Sequence, residues 1–131
     1  MADGGHASFP PVPASVPAAR HWVVACLPPW LGRHLCEKVA LLVSETVTNA
    51  VLHARTPVQV RVYDYRPTVR VEVDDDDDAL PVITLGGPEA ESGRGVFLVT
   101  AVADDWGTAP TPGPGKTVWF EVTDGHDAAE C

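Results

Sequence analysis

Glu45 and Asn49 are the pair of side chains whose types and spacing most directly suggest chemistry. They lie four residues apart in the stretch from Leu41 to His53. On an α-helix this spacing stacks two side chains one turn apart, here at the edge of an apolar sector. At such a partly solvated position in a pocket wall, a carboxylate is suited to act as a general base and a carboxamide to act as a metal ligand. An ordinary amphipathic helix with a polar edge explains the spacing equally well.

A run of aspartates, Asp74 to Asp78, follows an alternating apolar segment. Most charge runs of this kind are solvated turns. A calcium-binding EF-hand loop needs alternating acidic residues, then a glycine and a distal glutamate. Ala79 and Leu85 stand where the glycine and the glutamate are needed, so the run is not an EF-hand.

The segment Gly115-Lys-Thr invites comparison with a phosphate-binding Walker A loop. That loop also needs a glycine at position 110, where this chain has Pro110. Lys116 and Thr117 open an alternating strand rather than a helix, so a cradle of backbone amides would not form. We expect Lys116 to be a solvated charge at the strand end.

Hydrophobic periodicity predicts the elements that must position these residues. It predicts helices over residues 18–27, 32–54 and 95–103, a hairpin of strands over 58–63 and 69–73, and strands that open near 105 and cover 117–122. The apolar sector of the second helix consists of Leu35, Val39, Leu42, Val43, Val47, Ala50 and Val51. The predicted fold is α+β, a two-layer sandwich with the helices on one face of a mostly antiparallel sheet.

The proline-rich and glycine-rich segment 1–15 shows no periodicity and is expected to be a disordered arm. Residues 16–123 form the predicted domain, and 124–131 a frayed tail. A chain of 131 residues with 45% apolar residues can bury a real core. Its net charge of −9 argues against a nucleic-acid partner. No stretch approaches the roughly 20 apolar residues of a membrane span, so we expect a cytoplasmic protein without a membrane segment.

The order Glu45-x-x-x-Asn49-x-x-x-His53, preceded by Leu-Val-Ser, resembles the asparagine box of the GHKL ATPase superfamily. This superfamily includes gyrase, heat-shock chaperone, histidine kinase and mismatch-repair ATPases. The segment from Asp75 to Pro81 resembles its first glycine box. The stretch Glu91-Ser-Gly-Arg-Gly resembles the second box, and Gly115-Lys-Thr-Val-Trp-Phe resembles the last. The likeness covers about residues 16–123 and is closest to the bacterial anti-sigma-factor serine/threonine kinases.

This resemblance implies the GHKL (Bergerat) ATP-binding fold, with ATP and Mg²⁺ as cofactors. Asn49 would help to coordinate Mg²⁺, and Glu45 would act as the general base toward a serine or threonine hydroxyl. Asp75 would accept the exocyclic amine of adenine, and Thr117 would lie near the nucleotide. His53 either touches the nucleotide site or only caps the last helical carbonyls.

The same resemblance places the phosphates on the Gly93-x-Gly95 loop, ahead of a predicted helix whose first N–H groups are free. Arg94 would reach either a phosphate or a protein partner. The implied partners are a sigma factor and an antagonist protein, which is the phosphorylation substrate, and the implied assembly is a homodimer.

Two residues depart from the family pattern. Asp77 stands where the family commonly has serine or glycine, and Glu91 stands where some relatives have an arginine. Asp77 would raise the pKa of Asp75 or weaken nucleotide binding, and the register within the aspartate run is open by one residue. A kinase, an ATP-binding interaction module with little or no phosphotransfer, and a structural protein without nucleotide therefore remain as hypotheses.

Overall fold

The computed structural model describes residues 2–76, 103–111 and 115–125, without the side chains of residues 2, 3, 53 and 54. Within these residues one antiparallel sheet carries two helices on one face. The elements are β1 (Ala2–Phe9), α1 (Ser15–Cys26), α2 (Arg33–Asn49), a π-helical turn (Ala50–Ala54), β2 (Val58–Tyr65), β3 (Thr68–Asp75), β4 (Asp105–Pro110) and β5 (Lys116–Thr123). The strands lie in the order β1-β2-β3-β5-β4. This is the predicted α+β two-layer sandwich.

The hydrophobic core lies between the helices and the facing side of the sheet. Alternate residues of the strands point into it, because successive side chains of a strand lie on opposite faces. Side chains with no more than 2% exposure are Ala19, Val23, Val39, Leu42, Val43, Val47, Val58, Val60, Val62, Val69, Val71, Val73, Phe120 and Val122. The predicted apolar sector of α2 is confirmed, with Leu35 packed at its margin.

The predicted hairpin is confirmed, since β2 and β3 pair antiparallel on either side of the turn at Arg66-Pro67. The strands predicted near 105 and over 117–122 are β4 and β5. The predicted helix over 95–103 lies, up to residue 102, outside the described residues. Among the helices that the structure describes, none has the length and apolar character needed to cross a lipid bilayer.

The prediction of a disordered arm over residues 1–15 is wrong, because Ala2–Phe9 forms an edge strand paired with β2. Gly5 has φ of 148°, and a Cβ there would lie 3.0 Å from the Trp22 ring, so glycine allows the close approach to α1. Phe9 packs edge-on against Trp22 with 6.3 Å between ring centroids. Backbone pairing with β2 and the close packing of small residues keep β1 in place. Neither feature produces the hydrophobic alternation from which a strand is predicted.

The predicted frayed tail, residues 124–131, is wrong at its first residue, Asp124. Its side chain is buried, and its Oδ2 accepts the N–H of Gly32 at 3.0 Å. Its own N–H donates to the carbonyl of Pro67 at 2.8 Å. The residue after β5 therefore ties the start of α2 to the β2–β3 turn, and the domain extends through Asp124.

We predict that Asp124→Ala lowers the free energy of unfolding by about 1–3 kcal/mol, because it leaves the Gly32 N–H without its acceptor. Urea unfolding followed by circular dichroism measures this change. Glu37→Ala is the matched control, since Glu37 is an exposed acidic residue of α2. The control should change stability by no more than about 0.5 kcal/mol. Equal effects of the two substitutions would contradict the capping role of Asp124.

Candidate functional site

The aspartate run and the Gly115-Lys-Thr segment meet at one end of the sheet. Antiparallel pairing of β3 with β5 sets Asp75 opposite Lys116 and Asp74 opposite Thr117. The two segments are 41 residues apart along the chain, so only the sheet brings them together. This end of the sheet is the candidate site.

Asp75 and Lys116 form a buried ion pair on the helix-facing side of the sheet. The Nζ of Lys116 lies 3.0 Å from Oδ2 and 3.1 Å from Oδ1 of Asp75. The two residues are only 5% and 8% exposed. The expectation that Lys116 is solvated is therefore wrong. Lys116 is in phase with Phe120 and Val122, and this alternation turns its side chain toward the core.

Asp74 and Thr117 lie on the opposite face of the sheet, away from the helices. Thr117 Oγ1 donates to Asp74 Oδ1 at 2.5 Å, and Arg61 donates to both Asp74 oxygens at 2.6 and 2.9 Å. The hydrogen bonds to Asp74 are the main cause that raises the pKa of Arg61 above its ordinary value. The structure does not bring the Thr117 side chain to the face that carries Asp75.

The register of the aspartate run is clearer in the structure than in the sequence. Asp75 is buried on the inner face, whereas Asp74 is paired on the outer face and Asp76 is exposed. Among the described aspartates of the run, Asp75 is thus the one turned toward the helices. The assignment of Asp75 to adenine remains a prediction, and Asp77 and Asp78 lie outside the described residues.

Glu45 and Asn49 lie half-buried on successive turns of α2. The neighbouring hydroxyls of Ser44, Thr46 and Thr48 each donate to the carbonyl four residues earlier, at 2.6–2.9 Å. By contrast, neither Glu45 nor Asn49 forms a side-chain hydrogen bond or ion pair within the described residues. The polar residues of this stretch therefore divide into hydroxyls that bond their own helix and an acid–amide pair that is available for a ligand.

The chain that follows the helix with Glu45 and Asn49 reaches the end of β3 through a hydrogen bond of Thr56. After Asn49 the chain makes the π-helical turn and then Arg55 adopts left-handed geometry with φ of 57°. The hydroxyl of Thr56 accepts the backbone N–H of Asp76 at 2.9 Å. This bond joins a residue just after the π-helical turn to the residue just after β3. The backbone of His53 belongs to the π-helical turn, a feature that is frequent at functional sites, and its side chain is not described.

Gly115, the first residue of the segment that resembles the last GHKL box, has a structural role that the sequence analysis did not assign. Its φ is 124°, and a Cβ at this position would overlap the carbonyl oxygen of Asp75. The same Cβ would lie 3.1 Å from the hydroxyl of Thr111. Glycine is therefore required for β5 to begin against β3, and this close approach places Lys116 next to Asp75.

The predicted phosphate-binding residues Gly93, Arg94 and Gly95 lie outside the described residues, as does Glu91. Within the described part of the chain there is no group of three or more His, Cys, Asp or Glu side chains that could hold a metal. Mg²⁺ usually takes one or two protein oxygens and completes its shell with water and phosphate. An amide oxygen such as that of Asn49 fits this mode of binding.

The donors and acceptors at this end of the sheet are also of the kinds that recognise a nucleotide base. Asp75 offers carboxylate oxygens, each with more than one lone pair, on the inner side of the sheet. Lys116 offers an ammonium donor within 3.1 Å of them. A buried acceptor beside a buried donor can recognise the edge of a nucleotide base that presents a donor beside an acceptor. Glu45 and Asn49 would supply a base and a metal ligand on the helix side.

Comparison with known families identifies the type of domain. Residues 9–122 match the family model described as histidine kinase-like ATPase domain. The match begins at the end of β1 and ends one residue before the end of β5. A search of curated proteins found no match.

We predict that Gly115→Ala lowers the free energy of unfolding by more than about 2 kcal/mol, since it adds both strain at a positive φ and overlap with the β3 backbone. Thermal and urea unfolding measure the loss. Gly125→Ala is the matched control, because a Cβ at Gly125 meets no atom within 4 Å. If the two variants were equally stable, the tight β3–β5 junction described above would be wrong.

Proposed function

Because this chain belongs to the histidine kinase-like ATPase domain family, we propose that it is an ATP-binding bacterial regulatory protein with serine/threonine kinase activity toward an antagonist protein, as in anti-sigma factors. The family of ATPase domains itself implies ATP binding. The observation that carries the proposal is the acid–amide pair of Glu45 and Asn49. The pair lies on the helical segment that leads to Thr56, whose hydroxyl accepts the backbone N–H of Asp76, the residue after Asp75.

In this proposal Asn49 holds Mg²⁺ through its amide oxygen. When bound, the metal supplies positive charge that neutralises the nucleotide phosphates. Glu45, one turn earlier on the same helix, accepts the proton of a serine or threonine hydroxyl of the antagonist. Phosphoryl transfer passes through a loose transition state, so positioning of the hydroxyl and the metal contributes most of the catalysis.

Asp75 provides the base specificity of the proposed site. Its carboxylate accepts a hydrogen from the exocyclic amine of adenine, and guanine lacks a donor at that position. The ion pair with Lys116 is compatible with this role, because an ionised carboxylate has about four lone-pair sites. Rejection of a base that leaves a buried polar group unpaired can reach about 10⁴-fold.

The partners of the protein follow from the likeness to anti-sigma kinases. We expect a homodimer that holds a sigma factor until the antagonist displaces it, and phosphorylation of the antagonist by this chain. The net charge of −9 is compatible with a basic protein partner. Transfer to a serine or threonine also requires that the substrate hydroxyl come from the second protein.

We predict that the protein binds ATP in preference to GTP, and that Mg²⁺ strengthens the binding. Asn49→Ala should weaken binding of the Mg²⁺–ATP complex by at least about tenfold, since even indirect partners of a metal ligand contribute that much. Isothermal titration calorimetry with and without Mg²⁺ measures both effects. Gln59→Ala is the control because Gln59 is an exposed carboxamide on β2. Absence of heat at millimolar ATP would overturn the proposed nucleotide function.

We further predict that Glu45→Gln lowers phosphorylation of the antagonist by about 10²–10⁴-fold while ATP affinity stays within about twofold, because only the proton acceptor is lost. Transfer of labelled phosphate from ATP to candidate antagonists measures the rate. Glu37→Gln, which changes an exposed glutamate of the same helix, should retain full transfer. ATP binding without any transfer by the unmutated protein would instead favour an ATP-binding interaction module.

A further inference from the structure

The buried ion pair of Asp75 and Lys116 requires a reason beyond stability. Removing two charges from water carries a large desolvation cost, and apolar residues of similar volume often stabilise a fold as well or better. In the described parts of β2, β3 and β5, the other fully buried side chains of the inner face are valines and Phe120, so an apolar pair would continue the core. The lysine is thus best explained by something that it binds together with Asp75.

The chemistry of the pair matches one edge of adenine. Asp75 is an acceptor, and the Lys116 ammonium, 3.0 Å from it, is a donor. The pairing edge of adenine presents an amine donor at C6 directly beside an acceptor, the ring nitrogen N1. Guanine presents the reverse order, an acceptor at C6 beside an N–H at N1. A carboxylate and an ammonium held side by side can therefore read two adjacent atoms of adenine.

We infer that Lys116 is a second specificity-determining residue of the nucleotide site, which donates a hydrogen bond to N1 of adenine while Asp75 accepts one from the exocyclic amine. The inference rests on the proposed function and extends it to a residue for which the motif comparison gave no role. Gly115 fixes the start of β5 against β3, and strand alternation turns Lys116 toward the inner face. Contact with both carboxylate oxygens holds the ammonium in place.

Calorimetric titration of the protein with three nucleotides tests this inference. They are ATP, 1-deaza-ATP, in which a C–H group replaces N1, and purine riboside triphosphate, which lacks the exocyclic amine. Each analogue should bind about 10-fold to 100-fold more weakly than ATP, as expected for loss of a hydrogen bond to a charged group. Lys116→Met should weaken ATP binding and make ATP and 1-deaza-ATP bind equally, because the N1 contact is then already absent.

Lys38→Met is the matched control, since Lys38 is the chain's other lysine and lies on α2. This variant should keep the full difference between ATP and 1-deaza-ATP. If Lys116→Met does not fold, the comparison of the three nucleotides on the unmutated protein still decides, because it requires no substitution.

The outcomes separate the inference from the proposed function. Equal binding of ATP and 1-deaza-ATP by the unmutated protein, with weaker binding of the purine analogue, overturns the role of Lys116 and leaves the role of Asp75 intact. Persistence of the 1-deaza effect in Lys116→Met also overturns the inference. No binding of ATP at all overturns both.

Discussion

The antiparallel pairing of β3 with β5 is the interaction on which both the sheet and the site depend. β3 lies in the middle of the described sheet, between β2 and β5, and the register of its last residues decides which side chains meet. Because side chains alternate along a strand, the same register sends Asp75 and Lys116 to the inner face and Asp74 and Thr117 to the outer face. A shift of the pairing by one residue would place a different aspartate beside the helices.

The sheet also separates and neutralises the two adjacent carboxylates of Asp74 and Asp75. Adjacent carboxylates repel each other, and each would be costly to bury alone. The structure gives Asp74 and Asp75 separate cationic partners on opposite faces, Arg61 and Lys116. The outer pair is one part of a network in which Arg61 and Arg70 share Glu72. Arg61 thus neutralises Asp74 on the outer face, and on the inner face Lys116 lies against the carboxylate of Asp75.

The sequence was sufficient where a local pattern determines structure. The 3.6-residue period of α2 located Glu45 and Asn49 correctly at the edge of the core, and strand alternation located the β2–β3 hairpin. It was insufficient for β1, whose glycines pack through backbone contacts with α1 and β2 rather than through an apolar stripe. Lys116 was assigned by its charge, although the alternation of β5 already implied an inward side chain. The partner of Lys116 depends on β3–β5 pairing, which no local pattern specifies.

The proposed nucleotide site has two walls, a helix wall with Glu45 and Asn49 and a sheet wall with Asp75 and Lys116. Their physical origins differ, and this difference affects how each tolerates change. The helix wall is local: the side chains of Glu45 and Asn49 form no hydrogen bond within the described residues, so substitution there should cost little folding energy. The sheet wall is non-local: Asp75 and Lys116 are buried charges from distant parts of the chain, and removal of one breaks the ion pair between them. Substitutions in the sheet wall thus change stability and recognition together. Because a ligand that binds only the native state adds to its stability, a nucleotide that engages this wall would offset part of the desolvation cost of the pair.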